Sequence, residues 1–126
     1  MKMSTKKRPV LKELIFENTT DVELFQNKTL RPIIKMQHEV IVIFFKNCLL
    51  NRKIKVKELK ERELLKIINN FFSKDNKFRN QLLGIVVGQF SVEEFQYYIK
   101  YSSEIHKRIV QIILQRLKDS IQEIIL

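Results

Sequence analysis

Apolar residues recur at helical spacing from Leu30 to Leu49, through Ile33, Ile34, Val40, Ile41, Phe44, Phe45 and Cys48, with Gln37 in the same register. From Val40 to Phe45 they are continuous, and that run alone would also fit a buried strand. Its flanks decide for a helix. Thr29 can cap free backbone N–H groups, and Pro32 then falls in the first turn, where no N–H is required. The pattern predicts a first helix that starts near Thr29 and is buried nearly all round. The polar segment 51–56 separates it from a second helix, over roughly 57–72, with Leu59, Leu64, Leu65, Ile67, Ile68 and Phe72 facing inward.

Ser73, with Asp75 in the first turn, marks a third helix carried by Phe78, Leu82, Leu83, Ile85, Val86 and Val87. Gly88 is placed to end it in the left-handed conformation, and Gly84 is expected where another helix approaches closely. The strongest local signal follows. Ser91 and Glu94 have the spacing of a capping box, and Phe90 and Phe95 occupy the positions of a hydrophobic staple. A fourth helix runs through Phe95, Tyr98 and Ile99, and Ser102 and Ser103 then cap or kink the chain. The last helix carries Ile105, Ile109, Ile112, Ile113, Leu117, Ile121 and Ile124 on one stripe. That stripe either completes the core or forms a symmetric dimer seam over 103–126.

Residues 1–28 mix charges with Asn18, Thr19, Thr20 and Asp21 around small apolar patches at Leu11, Leu14, Ile15, Leu24 and Phe25. They are expected to form an N-terminal arm, packed on the rest or partly disordered, beside a helical domain over 29–126. The predicted architecture is therefore all-α, a single-domain irregular bundle of about five helices. Composition narrows it further. The 126 residues hold only two Gly and two Pro, against an average usage of roughly 12% for the pair, which argues against sandwiches, barrels and other folds with frequent reversals. None is left to build a phosphate loop or a nucleophile elbow.

The single Cys48 lies in an apolar run and reads as a reduced residue of an intracellular protein. The basic N-terminus lacks the apolar core of a signal peptide, since Lys12 and Glu13 interrupt the stretch from Val10 to Phe16. The run from Val40 to Phe45 is too short to cross a bilayer. The expectation is a cytoplasmic protein with no membrane partner.

Charge adds the first functional candidate. The formal net charge is +10, and half of it lies between Lys46 and Arg62. Lys53, Lys55, Lys57, Lys60 and Arg62 are the candidate nucleic-acid contacts, because such a patch attracts phosphate backbones through counterion release. Lys57 and Lys60 would also sit near a helix N-terminus, where cations oppose the dipole. A solvated, solubilising joint explains the same residues, and no aromatic residues interleave with the lysines for base stacking. Metal chemistry has little to work with: neither His38 nor His106 has a partner at ligand spacing, and no metal or cofactor is implied. Arg31 and His38 stand as R-x6-H, a spacing similar to the nuclease motif of HEPN-type helical ribonucleases. Pro32 follows the arginine where that motif carries a polar residue. These two are the catalytic candidates that a small-enzyme reading would use.

The segments LRPIIKMQ (30–37), KFRNQLLGIVVGQFSVEEFQYYI (77–99) and SSEIHKRIVQIILQRLKDSI (102–121) resemble a family of short bacterial proteins that sometimes carry the label glyoxalase. The resemblance spans about 100 positions from Leu30 onward, and the basic joint and the arm are less similar. It implies a recurrent small helical fold and no established activity or site. Glyoxalases are mainly β proteins that hold a metal with His and Glu, whereas this pattern contains neither strands nor enough histidines. Three function classes follow as expectations: a non-enzymatic helical interaction module, with self-pairing through the last helix as one form of it, a protein associated with nucleic acid or another acidic partner through the 46–62 patch, and a small enzyme.

Overall fold

A computed structural model describes residues 20–126, and every element in that range is helical. The chain runs through α1 (Asp21–Phe25), a π-helical turn (Gln26–Leu30), α2 (Arg31–Met36), α3 (His38–Asn51) and a 3-10 turn (Val56–Glu58). It continues through α4 (Glu61–Lys74), α5 (Asn76–Val87), α6 (Val92–Lys100), α7 (Ser102–Asp119) and α8 (Ile121–Ile125). The all-α, single-domain class expected from the pattern is what forms. The helices exceed five because the expected first and last helices are each divided and a short one precedes them. Leu11, Leu14 and Ile15 of the expected arm lie outside the described residues.

The first helix departs most from expectation. Thr20, not Thr29, supplies the first cap, its hydroxyl accepting the Glu23 N–H at 3.1 Å. Thr29 lies inside the π turn, buried, and donates its hydroxyl to Glu94 Oε2 at 3.2 Å. Pro32 explains the π register. Its ring has no N–H and would press on the carbonyl four residues back; immediately before it, the Arg31 N–H reaches back five residues to Gln26 O. The helix breaks again at Gln37, whose φ of −94° and ψ of 12° leave the α region. α3 is not buried all round. Ile41, Val42, Phe45 and Leu49 face the core, while Ile43 is 67% exposed and Leu50 71% exposed.

Two further boundaries move for local reasons. Lys57 lies in the 3-10 turn, and α4 starts only at Glu61, where Glu63 accepts the Lys60 backbone N–H at 2.9 Å. Glu61 and Glu63 place two negative charges in the first turn, which offsets the cation at Lys60. Ser73 belongs to α4, and Asp75 caps α5 by accepting the Phe78 N–H at 2.9 Å. Gly84 departs from expectation, and Gly88 ends α5 as expected but without the left-handed turn. Gly84 is exposed, with nothing within 4 Å of where a Cβ would stand. Gly88 is right-handed (φ −61°), and a Cβ there would come 2.9 Å from Gly84 O.

The left-handed helix end belongs instead to Lys53, at φ 58°. The Ile54 N–H donates to Leu49 O at 3.0 Å and the Lys53 N–H to Leu50 O at 2.9 Å, the two bonds of a Schellman motif. A lysine there bears the steric cost that glycine avoids. Lys53→Gly is expected to stabilise the fold by about 1 kcal/mol, read as a higher urea midpoint; a lower midpoint would contradict the strain.

The box at Ser91 and Glu94 forms as the spacing predicts. Glu94 Oε1 accepts the Ser91 N–H at 2.8 Å, and Ser91 Oγ accepts the Glu94 N–H at 3.1 Å. Phe90 and Phe95 meet through a third ring, each packing on Tyr98 at centroid distances of 5.5 and 5.4 Å. Phe90 also packs edge-on against Phe25 of α1 at 5.6 Å. α7 is the central strut, packed on α4, α5, α6 and the π turn. Its Ile105, Ile109, Ile113 and Leu117 are fully buried. The apolar stripe of the last helix thus completes the core, and α8 continues it with Ile121 and Ile124 against α3 and the 3-10 turn.

Candidate functional site

The basic joint folds into a groove rather than a flat patch. Leu50 at the end of α3, Ile54 and Val56 beyond it, and Ile124, Ile125 and Leu126 of the last segment line a groove of ≈ 660 Å³. Lys46, Lys53, Lys55, Lys57 and Glu58 complete its lining. The local sequence accounts for this arrangement. The Schellman end at Lys53 reverses the chain, so Ile54 and Val56 return beside Leu50, and the intervening lysines are left exposed. Of the five candidate basic residues, Lys53, Lys55 and Lys57 line this groove and Lys60 and Arg62 do not. Lys46 is the lining cation that the candidate set lacked. Arg52 of the same joint turns elsewhere, pairing with Asp75 and lying 4.0 Å from the centroid of the Phe71 ring.

On α3, exposed Val40 and Ile43 share the helical face of Leu50 and lead into the groove. At a rise of about 1.5 Å per residue this stripe is about 15 Å long. A second exposed apolar set, Val92, Phe95 and Ile99, lies along α6.

Arg31 and His38 come together as well. Both line a polar cavity of ≈ 570 Å³ with Gln26, Arg108, Gln111, Gln115, Arg116, Asp119, Ser120 and Glu123. His38 Nδ1 lies 3.3 Å from Arg116 Nη1 and its Nε2 lies 2.8 Å from Glu123 Oε2. Arg116 is a permanent donor, so Nδ1 accepts from it and the Nε2–H donates to Glu123. Both ring nitrogens are thereby engaged, and a general base would need one free. Arg31 and His38 share one cavity, and the partners of His38 tie that ring into it.

The remaining histidine and the cysteine are both half-buried. The second histidine, His106, bonds through Nε2 to the Tyr98 hydroxyl and ties α7 to α6. Burial, then the Asp75 charge, pushes the Cys48 thiol up, which keeps it neutral and a poor nucleophile. Burial also raises the Tyr98 hydroxyl. Among the described residues no three His, Cys, Asp or Glu side chains cluster as metal ligands, and no helix is long and apolar enough to cross a membrane.

Fold and surface together define a small all-α domain with a lysine-lined apolar groove and a separate arginine-lined polar cavity. No family model, curated protein or solved structure matches the chain.

Proposed function

We propose that this chain is a non-enzymatic helical interaction module whose lysine-lined groove docks an acidic amphipathic helix. The observation that carries this reading is the pairing of an apolar floor, Leu50, Ile54, Val56, Ile124 and Ile125, with four lysines, Lys46, Lys53, Lys55 and Lys57. A helix laid in a groove presents apolar anchors at i, i+3, i+4 and i+7, and acidic residues beside those anchors would meet the lysines. Val40 and Ile43 extend the apolar track beyond the groove. A nucleic acid would find phosphate partners in the same lysines but nothing to stack on the aliphatic floor. A second copy of the same groove would bring lysines against lysines, so the preferred partner is acidic and of different sequence. The left-handed Lys53 fits this role: it keeps a cation at the groove where glycine would be less strained.

The test uses a peptide of about 16 residues with leucines at helical i, i+3, i+4 and i+7 spacing and glutamates on the other face. Fluorescence anisotropy should show saturable binding that weakens with salt and that a scrambled peptide of the same composition lacks. Equal binding of the scrambled peptide, or full displacement of the peptide by duplex DNA at equal concentration, would favour a generic polyanion site and defeat the reading.

A further inference from the structure

The polar cavity shares no lining residue with the groove and belongs to a different chemistry. We propose that it binds the phosphate group of a small polar ligand through Arg31 and Arg116, with the amides of Gln111 and Gln115 facing the rest of the molecule.

Three guanidinium groups, Arg31, Arg108 and Arg116, line the cavity against two carboxylates, Asp119 and Glu123. The carboxylates are engaged: Asp119 accepts from Gln115 Nε2 at 3.0 Å and Glu123 from His38 at 2.8 Å. Arg108 is engaged too, donating to Gln26 Oε1 at 3.0 Å and to Glu104 Oε1 at 2.9 Å. The other two arginines keep donors in reserve. Among the described residues Arg31 bonds through Nε alone, to Asn27 Oδ1 at 3.4 Å. Arg116 uses Nη1 on His38, while its buried Nε has no hydrogen-bond partner among the described residues. A buried donor left unpaired costs about 1–3 kcal/mol; with Nε walled in, a phosphate oxygen would meet the Arg116 guanidinium through its Nη2 donors. Arginine's planar fork suits this task, because it can meet two phosphate oxygens at once.

Three of the backbone's irregularities border the cavity. Gln26 opens the π turn, His38 follows the break at Gln37, and Ser120 is the break between α7 and α8, where its hydroxyl donates to Arg116 O at 2.7 Å. Single π turns inside helices are frequent at functional sites. Here the π turn and the two breaks all border the wall that holds the arginines. His38, gripped by Glu123 on α8 and by Arg116 on α7, holds the Arg116 guanidinium in place across that junction.

The experiment is thermal unfolding of the full chain in millimolar inorganic phosphate or pyrophosphate, against sodium chloride of matched ionic strength. Phosphate is expected to raise the midpoint by about 3 °C and pyrophosphate by more. Arg31 is exposed, so Arg31→Gln should leave the midpoint in chloride unchanged and remove at least half of the rise. Lys55→Ala, in the groove, should leave the rise intact. No rise with either anion would overturn the proposal. A rise that Arg31→Gln retains would overturn it equally, since it would reflect general salt stabilisation or ions held by the lysines.

Discussion

Phe78→Ala is expected to lower the free energy of unfolding by about 4 kcal/mol, the largest effect of any single substitution considered for this fold. Phe78 is the hub of the aromatic cluster. Its ring stacks on Phe44 at 5.6 Å, lies 5.0 Å from Phe71, and meets Phe72 and Phe45 at 5.1 and 6.0 Å. These partners come from α3 and α4, so the ring joins three helices, and it is 2% exposed. Truncation removes the buried ring and leaves a cavity whose aromatic walls cannot collapse without leaving their own contacts. Domains of this size are stable by about 5–15 kcal/mol, so the variant should remain folded only with a much reduced urea midpoint and an almost unchanged slope. A loss below about 1 kcal/mol would show that the cluster relaxes freely.

Leu50→Asp is expected to weaken binding of the acidic amphipathic peptide at least tenfold, about 1.4 kcal/mol, while leaving the fold intact. Leu50 is 71% exposed on α3, so the folded chain loses little by the change. A docked helix would desolvate the new carboxylate on the apolar floor and bring its own acids against it. Leu50→Asn adds no charge and should still weaken binding several-fold, whereas a partner held only by diffuse positive charge should lose little from it. Anisotropy separates the two: a change of less than twofold would place the binding energy in charge alone.

The helical class was legible because periodicity and the shortage of glycine and proline agree. The box at Ser91 was legible because both halves of that signal lie within four residues and need nothing from the rest of the chain. The errors arose where another residue takes the role that a local signal suggested. Thr29 has a capping hydroxyl, but Glu94, 65 positions away, takes it. Gly88 is a glycine after a helix, yet the left-handed turn falls at Lys53, which no propensity favours. Asp75 outcompetes Ser73 as a cap because its own backbone is extended there.

The site was half visible. The charge run from Lys46 to Arg62 marks the groove's lysines, but its floor needs Ile124 and Ile125, which only the packing of α8 beside the 3-10 turn brings alongside. In the same way, Arg31 and His38 stand out in the sequence by their interval, which gives no sign of Arg116 and Glu123, set around the imidazole by the kink at Ser120. The residue types were readable; their convergence depends on helix breaks that periodicity does not encode.

The most direct measurement is a backbone amide chemical-shift titration of the full chain with the acidic amphipathic peptide. Docking in the groove predicts that the largest saturable shifts fall on Leu50, Ile54, Val56, Ile124 and Ile125, with smaller ones at Val40 and Ile43. Largest shifts along the exposed α6 face at Val92, Phe95 and Ile99, or at Arg31 and His38, would contradict it, as would shifts that grow linearly without saturation.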